Sequence, residues 1–307
     1  MLDNLFVCIG AQKAGTSWLY SVLSKDERFS YCPFVKEIHY FDYLYCSSPH
    51  LNNWRAHHLI KLTERRGLDL KPILSGWLSG DRSKLLTENK YKVKGKSLLA
   101  KRFSNLMNEA NDEWYESLIK PNANQKYAMD ITPDYAVIGE EGFTHLKGSA
   151  KNLKLLFILR DPVDRAWSGL LQGKKNTAGG IEKFLKENTN DINGLFKLCT
   201  TGKDVWPRSN YLKTILELES IGLLDKTLIK FYDDIAVCPE DFITDVYHFL
   251  EMEVPGIDGY SDSLLKRVYS TEGKTEMPSE LRGRLKEFFY PMLSTLNEKI
   301  SLPTKWL

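Results

Sequence analysis

Leu5-Phe6-Val7-Cys8-Ile9-Gly10-Ala11-Gln12-Lys13-Ala14-Gly15-Thr16-Ser17-Trp18-Leu19 is the stretch that decides the fold. An apolar run from Leu5 to Ile9 is stopped by Gly10, as a short strand would be. Beyond the glycines, Trp18, Leu19, Val22 and Leu23 recur at spacings of three and four, which predicts a helix from Thr16 to Ser24. Strand, loop and helix form half of a βαβ unit. A second half begins at Leu153–Leu159, almost continuously apolar, as a parallel strand buried on both faces should be. Arg160-Asp161-Pro162 ends it, and Pro162 suits the first turn of a helix running on from Val163. Thr227–Tyr232 and the helical pattern from Pro239 to Leu250 supply a third pair. The alternation predicts an α/β, P-loop-like three-layer fold, with a central, mostly parallel sheet flanked by helices.

The chain has 307 residues, 42% of them apolar and 12% aromatic, enough for a sizeable core and too apolar for a disordered chain. It shows no repeat and no Pro/Gly/Ser linker, so residues 1–307 are read as one domain, with a polar insertion at about 47–126 on the substrate side. The net charge of +2 excludes a dedicated nucleic-acid binder. That total conceals an uneven distribution: between Lys61 and Arg102 twelve basic residues face four acids. This surplus is either a solvated face or a surface for an anionic or carrier-bound partner. The cysteines Cys8, Cys32, Cys46, Cys199 and Cys238 lack metal-ligand spacing, so neither a structural zinc nor a disulfide framework is expected. With no basic leader at the N-terminus and no apolar run near the roughly 20 residues of a membrane span, a cytoplasmic protein without a transmembrane segment is expected.

Against the nucleotide-binding pattern G-x4-G-K-[ST], the first loop keeps both glycines and the hydroxyl but has Thr16 in the lysine position and Lys13 inside the loop. Anion binding survives the change. Backbone N–H groups from Gly15 to Trp18 would face outward at a helix N-terminus, and Lys13 adds a full charge. The missing lysine disfavours a magnesium-dependent kinase or ATPase. Arg160, at a strand's C-terminal end, is placed as a bidentate phosphate donor in the crevice where open α/β sheets bind ligands, or else as a salt-bridge partner of Asp161 or Asp164.

Pro33-Phe34-Val35-Lys36-Glu37-Ile38-His39-Tyr40-Phe41 sets two acid/base groups and a lysine among aromatics. In an extended segment Glu37 and His39 share a face. Partial desolvation by Phe34, Tyr40 and Phe41 would raise Glu37 towards a useful base. The alternatives are an ion pair with a neighbouring lysine for Glu37 and a structural role for His39.

Gln12-Lys13-Ala14-Gly15-Thr16-Ser17-Trp18-Leu19 resembles the 5′-phosphosulfate loop of sulfotransferases that use 3′-phosphoadenosine 5′-phosphosulfate. Leu159-Arg160-Asp161-Pro162-Val163-Asp164-Arg165-Ala166-Trp167-Ser168 is similar to that family's 3′-phosphate motif, which implies Arg160 and Ser168 on the nucleotide's 3′-phosphate. Gly273-Lys274-Thr275 resembles its glycine-basic closing loop. The Lys36-Glu37 segment resembles the heparan-sulfate-type branch, which implies Glu37 as general base, with His39 the competitor and Lys36 on the sulfonate or phosphate. Ala128-Met129-Asp130-Ile131-Thr132-Pro133-Asp134-Tyr135 resembles that branch's Glu-Lys-x-Pro-x-Tyr element, with Asp130 for the glutamate and Ile131 for the lysine. Asp130, Tyr135 and Tyr211 are the acceptor-side candidates it suggests. The resemblance implies metal-free, in-line transfer of a sulfonyl group to a hydroxyl, or to an amine, of a small-molecule, carbohydrate or carrier-bound acceptor, releasing adenosine 3′,5′-bisphosphate. A P-loop kinase and a non-catalytic nucleotide- or carbohydrate-binding module are the alternatives.

Overall fold

Leu5–Gly10 and Leu155–Leu159 are buried without a gap, because apolar side chains on both faces of each strand require cover on both sides. The computed structural model describes residues 1–64, 108–175, 177, 179–256 and 276–307. In chain order the elements are β1 (Leu2–Gly10), α1 (Thr16–Leu23), β2 (Phe29–Tyr31), α2 (Tyr40–Cys46), α3 (His50–Glu64), α4 (Asp112–Ile119), β3 (Tyr127–Ile131), α5 (Gly139–Gly148), β4 (Ala150–Leu159), α6 (Pro162–Lys174), α7 (Gly180–Asn188), α8 (Ile192–Thr201), α9 (Tyr211–Ser220), β5 (Thr227–Phe231), α10 (Tyr232–Val237), α11 (Pro239–Phe249) and α12 (Ser279–Asn297). The five strands form one parallel sheet in the order β2-β3-β1-β4-β5.

That order places the site. From β1 the chain leaves towards β2 at one edge, and from β4 it leaves towards β5 at the other. The crevice beyond the C-terminal ends of β1 and β4 is therefore the switch point of the sheet, where open α/β folds bind ligands. Both phosphate-type motifs emerge there. The Ala11 N–H donates to the Ile158 carbonyl at 2.7 Å, which ties the loop after β1 to the end of β4.

Most helices bury an apolar stripe in one core, from Leu5 and Leu156 in the sheet to Leu285 and Trp306 near the C-terminus, while α7 and α10 only lay partly buried side chains such as Phe184 and Ile235 against it. Three expected strands and helices lie where the sequence put them, with β1 and β4 starting a few residues earlier and Tyr232 beginning α10 rather than ending β5. Within the expected insertion, α3 and α4 are present; residues 65–107, which carry most of the basic surplus, lie outside the described residues. Among the described residues no helix is long and apolar enough to cross a membrane. All five cysteines are free thiols.

Candidate active site

The loop after β1 turns on two left-handed residues. Gly15 caps α1 at φ 91°, and a Cβ there would lie 2.7 Å from the Ile235 Cδ1 atom. Lys13 adopts φ 73°, a conformation rare for a residue with a side chain and concentrated at functional sites. Its Nζ reaches Gln172 Oε1 of α6 at 3.4 Å. Burial and then the nearby Arg160 charge hold the Lys13 ammonium below its usual pKa. Arg160 donates from Nη1 to the Lys13 carbonyl at 2.9 Å and lies over the Tyr232 ring, 4.9 Å from its centroid. It does not pair with its neighbouring acids: Asp161 caps α6 by accepting from the Val163 N–H, and Asp164 pairs with Arg282 at 2.9 Å. The Arg160 carbonyl accepts from the Tyr211 hydroxyl at 2.8 Å. Ser168 is half-buried on α6.

Of the expected nucleotide loop, Gln12, Lys13, Gly15 and Ser17 are half-buried at the crevice, while Ala14, Thr16 and Trp18 are buried. The Trp18 ring packs edge-on against Phe242 at 5.5 Å, so that side chain serves the core and only its backbone N–H could serve an anion. Gly273, Lys274 and Thr275 lie outside the described residues.

Lys36 brings the second segment to the first. Its Nζ donates to Thr16 Oγ1 at 3.2 Å and to Ser17 Oγ at 3.0 Å, and it pairs with Glu37 Oε1 at 2.7 Å. Thus three cations, Lys13, Lys36 and Arg160, gather around the α1 N-terminus, where the helix dipole already favours an anion. From Glu37 a row of charges runs inward: Glu37 Oε2 is 3.4 Å from His39 Nε2, and His39 Nδ1 is 2.9 Å from Asp42 Oδ2 and 3.8 Å from Asp134 Oδ2. Arg208 Nε closes the row on Asp134 Oδ1 at 2.6 Å. Burial pushes the His39 imidazole down, but the hydrogen bonds to Asp42 and Glu37 outweigh it and raise His39 to about 10. Burial pushes Glu37 up, but the hydrogen bond from His39 and the Lys36 charge hold it at about 2.

The last result corrects an expectation. Burial does not lift the pKa of Glu37, because the two cations beside it overcome the desolvation. The segment is also not fully extended. His39 is left-handed, with φ 59°, and caps α2. Glu37 and His39 still meet, through the turn rather than through strand alternation.

The cleft bounded by Glu37, His39, His50, Asn53 and Trp54 encloses about 300 Å³ and opens beside the cationic crevice. The acceptor-side candidates fall elsewhere. Asp130, Tyr135 and Tyr211 are 1%, 0% and 1% exposed, so they cannot be direct acceptor contacts in this structure. Ile131 is core. Asp42, Asp134 and Arg208 escaped the sequence. Asp42 had a local signal, lying one turn after His39; Arg208 had none, being 74 residues from the carboxylate it pairs with. His39, Asp42 and Asp134 offer metal-type ligand atoms within 4.8 Å of one another. The two ring nitrogens of His39, however, face Glu37 and Asp42, and Asp134 is paired with Arg208, so these donors are already engaged.

Residues 3–280 match the protein family described as "Sulfotransferase domain". Among solved structures, the chain is similar to a sulfotransferase from Alicyclobacillus acidocaldarius at 18% identity and TM-score 0.58, covering 100% of this chain and 99% of that one. It is also similar to the sulfotransferase domain of the Synechococcus PCC 7002 olefin synthase at 14% identity and TM-score 0.52, covering 99% and 98%. These likenesses show the fold. No curated protein matches the sequence.

Proposed function

The chain belongs to the sulfotransferase domain family and is an enzyme of that class, and we propose that it takes its sulfuryl group from 3′-phosphoadenosine 5′-phosphosulfate and delivers it to a hydroxyl of a carbohydrate or natural-product acceptor, with Glu37 as general base. One observation carries this reading: Lys36 bridges the α1 N-terminus and the Glu37 carboxylate, so the anion-binding and proton-accepting parts adjoin. It also supports placing the enzyme with the branch whose base is a glutamate.

The residues fit the donor. Thr16 and Ser17 with the α1 N–H groups would cradle its 5′-phosphosulfate, and Arg160 with Ser168 would meet its 3′-phosphate. The acceptor oxygen attacks sulfur while the bond from sulfur to the bridging phosphate oxygen breaks, and the acceptor proton passes to Glu37. Negative charge grows on the leaving phosphate, which Lys13, Lys36 and the helix N-terminus would stabilise. A base held at about 2 is ionised and ready but weak. When Lys36 turns from Glu37 to the donor's charge, Glu37 loses one of its cationic partners and its proton affinity rises. His39, an imidazolium between two carboxylates, keeps Glu37 oriented rather than taking the proton itself.

General-base catalysis typically contributes about 10²–10⁴-fold, so Glu37→Gln should retain calorimetric binding of adenosine 3′,5′-bisphosphate and lose radiolabelled sulfuryl transfer by that order. A fully active variant would hand the base role to another group. Tighter binding of ATP with magnesium than of the bisphosphate would favour the kinase reading instead.

A further inference from the structure

His39 stands in a left-handed conformation, φ 59° and ψ 34°, between two residues whose amides are tied to distant side chains. The Ile38 N–H donates to Thr132 Oγ1 at 3.0 Å, and the Tyr40 N–H donates to the Tyr135 hydroxyl at 3.1 Å. Both hydroxyls in turn donate to one carboxylate. Thr132 reaches Asp130 Oδ1 at 2.6 Å, and Tyr135 reaches Asp130 Oδ2 at 2.9 Å. Tyr115 adds a third donor to Oδ2 at 3.1 Å. Asp130, Thr132 and Tyr135 are all buried.

From this bracket we infer that Asp130 is a positioning residue for the transfer reaction, holding the Glu37–His39 segment in register by directing Thr132 and Tyr135 onto the two amides that flank His39. The inference rests on Glu37 being the base. An ionised carboxylate only accepts hydrogen bonds, so each hydroxyl must spend its proton inward and present a lone pair outward. Those outward lone pairs meet the Ile38 and Tyr40 N–H groups. A neutral amide at 130 would present a donor on one side, so the hydroxyl there would lose the acceptor of its own proton and turn that proton away from residue 130, disturbing the lone pair that meets the backbone N–H. Burial raises Asp130 to about 6, and the three hydroxyls that donate to its two oxygens favour the charged form. The left-handed turn at His39 is unfavourable by itself and persists because both of its ends are fixed. Releasing either end would let Glu37 drift from Lys36 and His39, and misplacement of this kind is expensive in turnover.

The test uses Asp130→Asn, Thr132→Val, Thr132→Ser and Tyr135→Phe in the full-length enzyme, with Glu37→Gln alongside. Thr132→Val and Asp130→Asn should lower kcat by about tenfold or more while binding of adenosine 3′,5′-bisphosphate stays near the wild-type value. Thr132→Ser, which keeps the hydroxyl, should recover most of the rate. The acid limb of the wild-type kcat–pH profile should follow Asp130, near 6, and should weaken in Thr132→Val and Tyr135→Phe and vanish in Asp130→Asn, where no carboxylate bears on the bracket; loss of packing alone would leave that limb in place. Unchanged kcat and pH profile in both Thr132→Val and Tyr135→Phe would overturn the inference. So would a Thr132→Ser variant as impaired as Thr132→Val. Should Asp130→Asn not fold, these hydroxyl variants decide the matter. Full activity of Glu37→Gln would overturn the base assignment itself, whatever the bracket variants do.

Discussion

Arg160 has a carbonyl and an aromatic ring for partners and no carboxylate partner among the described residues, although Asp161 follows it directly. A cation held this way keeps its attraction for an incoming anion. Arg160→Ala should therefore weaken adenosine 3′,5′-bisphosphate by about 10- to 100-fold, the worth of a charge-assisted hydrogen bond of ~1.5–3 kcal/mol. Adenosine 5′-monophosphate, which lacks the 3′-phosphate, should lose much less; equal losses measured by calorimetry would remove Arg160 from that position. Lys13 is a different case: it stands on a left-handed turn of the loop, and on the proposed reading its charge meets the leaving phosphate rather than the acceptor. Lys13→Ala should depress kcat far more than it raises the acceptor KM, and an unchanged kcat would exclude it from the chemistry. Arg160 and Lys13 were legible because short motifs specify them. Asp42 and Arg208 were not, because their roles depend on which carboxylate or imidazole the fold brings opposite.

At the scale of elements, α1 begins at Gly15 because the chain must turn left-handed there, and Ile235 and Tyr232 of α10 close over the space a side chain would need. Gly15→Ala should cost about 1–3 kcal/mol of stability from backbone strain alone, with a further loss of bisphosphate affinity as α10 is pushed away. Thermal unfolding and calorimetry on the same variant would show both effects; wild-type values in each would mean that the loop accommodates a Cβ. Strands β1 and β4 were readable from their apolar runs because each is buried on both faces. β2 was not, as three residues, Phe29–Tyr31, are too few for any period to declare itself. The segment from Pro33 looked extended and instead turns at His39 into α2, because the amides on either side find acceptors on Thr132 and Tyr135, more than 90 residues away.

For the molecule as a whole, the buried charge row makes stability depend on pH in a way its two ends predict. Glu37, lowered from 4.5 to about 2, contributes stability that is present above pH 4.5 and fades as pH falls towards 2. His39, raised from 6.5 to about 10, contributes stability that is complete below pH 6.5 and is lost as pH rises through 10. The difference in Tm between the wild type and His39→Asn should thus be greatest near pH 4.5–6.5 and shrink on both sides; a difference that stays flat to pH 10 would mean that His39 is not held as a cation. The sequence by itself determined the α/β class and the two loops at the ends of β1 and β4, because both are written in local periodicity and short-range spacing. Only the tertiary structure decided that these loops share one crevice, that Glu37 is held low rather than lifted, and that Asp130 faces two hydroxyls instead of an acceptor. Those outcomes depend on strand order and on charges brought together from distant parts of the chain, and neither has a signature in any single segment.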